Sequence, residues 1–247
     1  FKDLEEEKVV STFQDSFRDD DLRKRGWVQP DGQKRWSVKD GYLVGKPAKE
    51  KASIIWCRTQ LQNNMSLTAD VILDDLKTEI GFFIGTETKK RGYGYYIRLN
   101  TKETILLKVD RGRWRRPFLA HNTEYPLKKG APFTLNIRCS RYSINILINN
   151  VPVIRYKDYE IMEYLERLNQ LNLAIAVKDG PAKIDRLEFA NFMPSALEGF
   201  FQAGDILLKN GEYRKAFLHF KRRYSGYKSD KSDGAALLRI KSLFRMG

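Results

Sequence analysis

The chain has 247 residues, of which 42% are hydrophobic and 12% aromatic, so it can bury a substantial core, which argues against general disorder. Lys and Arg outnumber Asp and Glu by 45 to 31, and the resulting net charge of +14 favours nucleic acid, anionic lipid or acidic partners. Only two cysteines and two histidines are present, in no metal-ligand spacing, so we expect no zinc cluster and no cofactor.

The chain opens on Phe1 and not on Met, so we interpret it as an excerpt of a longer protein. It shows no signal peptide and no apolar run that approaches the roughly 20 residues needed to cross a bilayer. Because an excerpt can lack its targeting signals, the compartment stays open. The protein is either cytoplasmic or tethered to a membrane through other regions.

Residues 9–192 follow the two-residue period of strands. Apolar and polar residues alternate in the segments TADVILDD, ETILLKVD, PFTLNIRCS, SINILINN and LNLAIAV. In the first of these, Ala69, Val71 and Leu73 fall on one face. Short alternating runs separated by Gly, Asn and Asp turns are typical of an antiparallel sandwich or barrel. One helical interruption is predicted at residues 156–170.

Several local signals refine this prediction. The pair Asn149-Asn150 indicates a tight hairpin turn, and the segments KDGY and KDGP supply Asp-Gly turns. Cys57 and Cys139 both lie in apolar strand-like runs, so we expect them to be small buried hydrophobic residues.

After Met193-Pro194 the hydrophobic period becomes that of helices. Two amphipathic segments follow, separated at Asn210-Gly211, where glycine can supply the left-handed turn that ends a helix. We therefore predict a domain boundary near residue 193, with one domain at residues 1–193 and a second at residues 194–247.

The helical segment resembles a tetratricopeptide repeat at most signature positions. Two positions depart from the pattern: Arg223 replaces the usual Ala, and Lys228 replaces the usual Pro. A truncated second copy begins at GAALLRIKSLFRMG. Since such arrays are scaffolds for other proteins, the resemblance implies a protein partner. The expected repeat-packing residues are Phe200, Gly204, Leu207, Gly211, Tyr213, Ala216 and Phe220.

The first domain resembles the concanavalin A-like lectin/glucanase group, which includes laminin-G-like domains. The resemblance lies in the order of the segments FQDSF, RWSVKDGYLVG, SIIWCR, LTADVILDD, EIGFFIG, GYGYYIRLN, LNIRCSRYSINILINNVPV and AKIDRLEFANF. It implies a mainly β fold class: an antiparallel jelly-roll β-sandwich, here followed by a small C-terminal α-helical repeat region.

The resemblance also raises the question of catalysis. Laminarinase-type glycosidases carry Glu-x-Asp-x-x-Glu on a central strand, which supplies the nucleophile and the acid of retaining hydrolysis. The nearest carboxylates here are Asp70, Asp74, Asp75 and Glu79 in DVILDDLKTE, and they do not reproduce the motif. We therefore predict no catalytic residue and keep a divergent glycoside hydrolase as the alternative.

A candidate ligand face follows from the alternation. If Tyr95, Ile97 and Leu99 point into the core, Tyr96, Arg98 and Asn100 point outward. By the same reasoning, Thr104, Leu106 and Lys108 form the polar side of the next strand, and Asn136 and Arg138 that of a later one. If these rows meet on one face, an aromatic ring with Arg and Asn suits a glycan or an anionic ligand. Trp114, on a loop among arginines, is a further candidate contact.

The segment RGYGYYIRLN begins like the ribonucleoprotein motif of RNA-recognition domains. Such a domain needs helices between its strands, but here strands precede and follow the segment without intervening helices, and the alternation places Tyr95 in a core. RNA or polyanion binding through basic loops is therefore a third hypothesis behind the other two. The preferred hypothesis is a non-catalytic interaction region of a larger bacterial multidomain protein that binds a glycan or a protein partner. One protein of this kind would be a serine/threonine kinase that carries the region as its extension.

Overall fold

The computed structural model describes residues 9–30, 34–48, 51–62, 64–86, 93–110, 113–114, 118–140, 143–157, 171–192, 204, 207–208 and 210–224. The chain divides into two compact units, one formed by Val9–Phe192 and the other by Phe1–Lys8 with Met193–Gly247. The larger unit is built from strands, which confirms the mainly β fold class. In chain order the strands are β1 (Val9–Asp15), β2 (Trp27–Val28), β3 (Trp36–Lys39), β4 (Tyr42–Gly45), β5 (Ser53–Leu61), β6 (Met65–Leu73), β7 (Glu79–Thr86), β8 (Tyr93–Leu99), β9 (Thr104–Asp110), β10 (Arg113–Trp114), β11 (Ala120–Asn122), β12 (Pro132–Ser140), β13 (Ser143–Ile148), β14 (Val151–Lys157), β15 (Leu171–Lys178) and β16 (Ala182–Phe192).

The strands form two antiparallel sheets. Sheet 1 has the order β14-β13-β12-β6-β16-β4-β3, with β1 also paired to β16. Sheet 2 has the order β10-β9-β8-β7-β15-β5-β2, with β11 also paired to β9. Consecutive strands often belong to different sheets, so the chain crosses repeatedly from one sheet to the other. The two sheets stack as a sandwich. The face of each sheet that points away from the other is called its outer face below.

The core lies between the sheets and follows the alternation that the sequence predicts. Strand β6 buries every second residue from Met65 to Leu73, including Ala69 and Val71, while the residues between them are partly exposed. Strand β8 contributes Tyr95, Ile97 and Leu99 to the same core. Tyr95 is thus a core residue and not part of a base-stacking platform. The predicted core faces of β12, β13 and β15 are confirmed in the same way.

Strand β9 departs from the prediction. Leu106 is a fully buried member of the core between the sheets, so its side of the strand is not the polar one that we expected. Ile105, Leu107 and Val109 instead belong to a second apolar cluster. The segment TILLKVD carries apolar residues on both faces, so alternation alone gave the wrong inward face.

The predicted turns and buried thiols are confirmed. Asn149 and Asn150 both have positive φ angles, 51° and 65°, as a two-residue primed hairpin turn requires. Asp40 and Gly41 form the same kind of turn, with φ angles of 53° and 80°. Both cysteines are free and buried, and burial raises the pKa of the Cys139 thiol to about 12, which makes this group inert.

A buried carboxylate fixes the end of β1. The Oδ1 atom of Asp15 accepts a hydrogen bond from the Phe17 amide at 2.8 Å and is paired with Arg25 Nη1. Its Oδ2 atom accepts one from the indole N–H of Trp27 at 2.8 Å. Since the Asp15 side chain is only 3% exposed, these contacts compensate the burial of its charge.

The smaller unit contains the helix α1 (Tyr213–Tyr224). The preceding helical turn ends at Gly211, which has a φ angle of 74°. The amide of Gly211 donates to the Leu208 carbonyl at 3.2 Å, and the Glu212 amide donates to the Leu207 carbonyl at 2.8 Å. These two bonds form a Schellman motif, which confirms the predicted helix stop.

Two of the predicted repeat-packing positions are in direct contact. A Cβ atom added to Gly204 would lie 2.1 Å from Cζ of Phe220, so only glycine allows this approach. Ala216 and Phe220 are fully buried, and Leu207 and Tyr213 are half-buried. Residues 156–157 belong to β14, not to the predicted helical interruption. The rest of that segment, Phe200 and the second repeat copy lie outside the described residues.

In the part of the chain that the structure describes, no helix is both long and apolar enough to span a membrane.

Candidate functional site

The outer face of sheet 2 carries a compact apolar cluster. It forms because β9, β8, β7, β15 and β5 lie side by side and each directs apolar residues away from the core. Trp56 packs against the cluster, with its ring centroid 5.7 Å from that of Phe83 in an edge-on arrangement. This middle part of the face is closed to solvent. The buried members are Phe83, Tyr96, Ile105, Leu107, Val109, Ala174 and Ala176.

Tyr96 links the apolar cluster to the polar end of the face. Its ring lies over Gly81 on the neighbouring strand, where an added Cβ would come within 1.9 Å of the Tyr96 Oη atom. Burial raises the pKa of the Tyr96 hydroxyl, the nearby charge of Glu79 raises it further, and Arg98 opposes them. The hydroxyl is therefore neutral at all ordinary pH values and can act as a hydrogen-bond donor.

Four polar side chains meet where β7 begins and β8 ends; we call them the Arg98 cluster. Arg98 Nη2 donates to Glu103 Oε1 at 2.8 Å, and Arg98 Nε lies 3.6 Å from Glu79 Oε2. The second oxygen of Glu103, Oε2, lies 2.8 Å from Nε2 of His121. Strand pairing brings Arg98 and His121 close together, because Arg98 is paired with Ile105 in β9 and Ile105 is paired with His121 in β11.

The Arg98 cluster is held in place but still reaches solvent. The exposed fractions of its side chains are 21% for Arg98, 14% for Glu79, 26% for Glu103 and 40% for His121. Burial raises the pKa of the Glu79 carboxyl, against the opposing charges of Arg98 and Lys178. The cluster thus combines fixed carboxylate acceptors with guanidinium and imidazole groups at the edge of an apolar face.

The residues predicted for a ligand site separate onto two faces. Tyr96 and Arg98 point outward from sheet 2, as predicted, and Asn100 follows them in the turn after β8. Asn136 and Arg138 lie on β12, which belongs to sheet 1. The outer faces of the two sheets point in opposite directions, so the condition that these rows meet is not fulfilled and the combined site does not form.

The polar outer face of sheet 1 has contacts of its own. Asn136 Oδ1 accepts a hydrogen bond from Thr68 Oγ1 at 2.9 Å, and Thr134 Oγ1 donates to Asp70 Oδ1 at 2.7 Å. Arg186 Nε lies 3.2 Å from Asp70 Oδ2. Asp70 therefore takes part in cross-strand contacts within sheet 1.

The backbone corrects a further expectation. Trp114 is not on a loop, because Arg113 and Trp114 form β10 and pair with Asp110 and Val109 of β9. His121 is likewise on a strand, β11, and belongs to the Arg98 cluster. Sequence reasoning missed Glu103 and His121 as site residues, because single polar residues at strand ends carry no periodic signal.

A metal centre finds no support in the described ranges. Within them, no three or more His, Cys, Asp or Glu side chains come together in a way that could hold a metal ion.

The comparisons with known proteins agree with this architecture. The profile of the galactoside-binding lectin family matches residues 52–178, just over half of the chain. That span runs from before β5 to the end of β15 and therefore includes all of sheet 2 except β2. No curated protein sequence gives a significant match.

Solved structures show the same fold at low sequence identity. A galectin-like protein of unknown function from Bacillus subtilis superimposes with a TM-score of 0.57 at 13% identity, over 76% of this chain and 99% of that one. The carbohydrate-binding module CBM66 from Bacillus subtilis gives 0.52 at 14% identity, over 68% and 93%. The kappa-carrageenase from Pseudoalteromonas carrageenovora gives 0.53 at 11% identity, over 74% and 96%. These similarities establish a lectin-type β-sandwich that binding modules and hydrolases share.

Proposed function

The chain belongs to the galactoside-binding lectin family, and from this membership we propose that its sandwich binds a galactose-containing glycan, without catalysis, at the Arg98 cluster. One observation carries the proposal. On the outer face of sheet 2, Arg98, Glu79, Glu103 and His121 form a fixed, partly exposed set of hydrogen-bonding groups beside the buried apolar cluster.

The chemistry of the cluster suits a sugar. Neighbouring hydroxyl groups each need both a donor and an acceptor, and Arg98 with its two glutamates offers both kinds of group. Because the ion pairs already hold the side chains, little rotamer freedom is lost when a ligand binds. Phe118 is 38% exposed, and its ring centroid lies 5.9 Å from that of His121. These rings provide a surface for the apolar C–H face of a sugar.

Calorimetric titration with lactose tests the proposal. Wild-type protein should bind, and Arg98→Met should weaken binding by about tenfold or more, because a hydrogen bond to a charged group contributes about 1.5–3 kcal/mol. Arg186→Met is a matched control, since Arg186 also pairs with a carboxylate but lies on sheet 1. Equal loss in both variants, or no binding by wild-type protein, would refute the assignment.

A divergent glycoside hydrolase is the second candidate, and one observation favours it. Glu79 and Glu103 contact the same guanidinium, and the pKa of Glu79 is raised, as a general acid requires. Hydrolysis needs two carboxyl groups on either side of a glycosidic bond. Turnover of nitrophenyl galactosides that disappears in both Glu79→Gln and Glu103→Gln would favour this candidate over simple binding.

The smaller unit suggests a second role. We propose that it belongs to a tetratricopeptide-type scaffold for a protein partner, within a larger multidomain protein, as a kinase extension would be. The support is the close approach of Gly204 to Phe220 and the turn at Gly211. Gly204→Leu should lower the helical circular dichroism signal while lactose binding stays unchanged. A helical signal equal to that of the wild type would argue against a close-packed helical pair.

A further inference from the structure

We propose that a basic cleft next to the Arg98 cluster binds an anionic substituent, a sulfate or a carboxylate, carried by the glycan. This inference rests on the proposed function and narrows its ligand class to acidic galactosides. The cleft has a volume of about 660 Å³, within the range of ordinary small-molecule sites. It lies at the end of the sandwich where the turns after β6, β8 and β15 come together.

The cleft carries an excess of positive charge. Arg35, Lys77 and Lys102 line it, and the acidic residue on its wall is Asp179. Asp179 Oδ2 already lies 3.4 Å from Lys178 Nζ, so Lys178 compensates part of the negative charge of Asp179. Across the described ranges, no ion pair joins Arg35, Lys77 or Lys102 to an acidic side chain. Three like charges around one opening attract an anion through their summed field.

The turn that bounds the cleft is held rigidly. Asn100 Oδ1 accepts hydrogen bonds from the amides of Lys102 and Glu103 at 2.8 and 3.0 Å. Thr101 Oγ1 donates to the carbonyl of Leu76 at 2.9 Å, which ties this turn to the turn after β6. Lys77 and Lys102 therefore project from two turns that are bonded to each other. Because the two backbones are fixed relative to each other, only side-chain freedom is lost when both lysines contact one anion.

The same turn connects the cleft with the Arg98 cluster. Asn100 and Lys102 line the cleft, while Glu103, the next residue, is the hydrogen-bonding partner of Arg98. Arg98 and Asn100 are two strand positions apart, a distance of about 7 Å between their Cα atoms. One sugar unit spans such a distance. A galactoside at Arg98 can therefore place a charged group in the cleft.

The test compares three probes: lactose, lactose sulfated at its 3′ position and lactose sialylated at its 3′ position. Titrations at low and physiological ionic strength should show the two acidic sugars binding roughly five- to tenfold tighter than lactose at low salt, with a smaller ratio at high salt. The double variant Lys77→Gln/Lys102→Gln should lose this advantage and bind neutral lactose as wild-type protein does. Free sulfate as a competitor separates a sugar-borne anion from binding of the ion alone.

The matched control is Arg155→Gln/Lys157→Gln, which removes two charges from β14. Lys157 is paired with Ser143, close to the end of the sandwich where β6 begins, whereas Lys77 follows the end of β6. This control should keep the preference for acidic sugars. If lactose binds but the acidic sugars bind no tighter, or if both double variants behave alike, the cleft proposal is wrong and the lectin proposal stands. If none of the three sugars binds, both proposals are wrong.

Discussion

The contact between Gly81 and Tyr96 gives a prediction whose size follows from the structure. In Gly81→Ala the new methyl group would lie 1.9 Å from Tyr96 Oη and 2.1 Å from Cζ, whereas ordinary contacts are 3.4–4 Å. The ring must therefore move by about 1.5 Å within the apolar cluster. Overpacking of this kind costs about 1–3 kcal/mol.

Urea denaturation followed by tryptophan fluorescence measures this cost. All four tryptophans, at positions 27, 36, 56 and 114, belong to the larger unit, so the signal reports the sandwich. With a typical urea m value of about 2 kcal/mol/M, the midpoint should fall by roughly 0.5–1.5 M. The same substitution should also weaken lactose binding, because Gly81 is the β7 partner of Arg98.

A double-mutant cycle shows whether the cost comes from this contact. Tyr96→Ala removes the ring atoms that the new methyl group meets, so adding Gly81→Ala to this variant should be neutral or slightly stabilising. The coupling energy should then be of the same size as the cost of Gly81→Ala alone. If Gly81→Ala destabilises the protein equally with and without the Tyr96 ring, the ring does not lie over Gly81 and the reasoning fails.

Three further predictions concern other parts of the molecule. Asp15→Ala should lower the free energy of unfolding by about 3–5 kcal/mol in the same denaturation assay, because Arg25 and the Trp27 indole lose a buried acceptor; a loss below 1 kcal/mol would contradict the contacts. Gly211→Ala should lower the free energy of unfolding by about 1 kcal/mol, because the left-handed φ angle at this position strains any other residue. On heating, the helical circular dichroism signal of this variant should be lower than that of the wild type. Burial places the folded-state pKa of Glu79 above its ordinary value of 4.5. As the pH rises from 4.5 through that folded-state value, the contribution of Glu79 to stability should decrease and the affinity for lactose should increase. An NMR titration of the Glu79 carboxyl that gives an ordinary pKa would contradict this.

The sequence predicted the sandwich because its strands alternate cleanly. Strand β6 has one apolar face and one polar face, so its core residues could be read directly. For strand β9 the same reasoning gave the wrong inward face, because Leu106 points into the core while Ile105 and Leu107 join a second apolar cluster on the other side. A strand with two buried faces has no period that tells them apart.

The candidate site was predicted only in part, for a different reason. Arg98 and its outward direction followed from alternation within one strand. Its partners Glu79, Glu103 and His121 come from three other strands or turns, and strand order decides which of them meet. Alternation gives no strand order. For the same reason the sequence could not show that Asn136 lies on the opposite sheet.

The most direct test of the proposed function is an NMR titration of isotope-labelled protein with lactose. A galactoside bound at the Arg98 cluster should cause saturable shifts that are largest for the Nε–H of Arg98 and for the amides of Glu79, Glu103 and His121, with small changes on β12 and β16 of sheet 1. Shifts confined to sheet 1, or no saturable shift at millimolar lactose, would contradict a galactoside site at the Arg98 cluster.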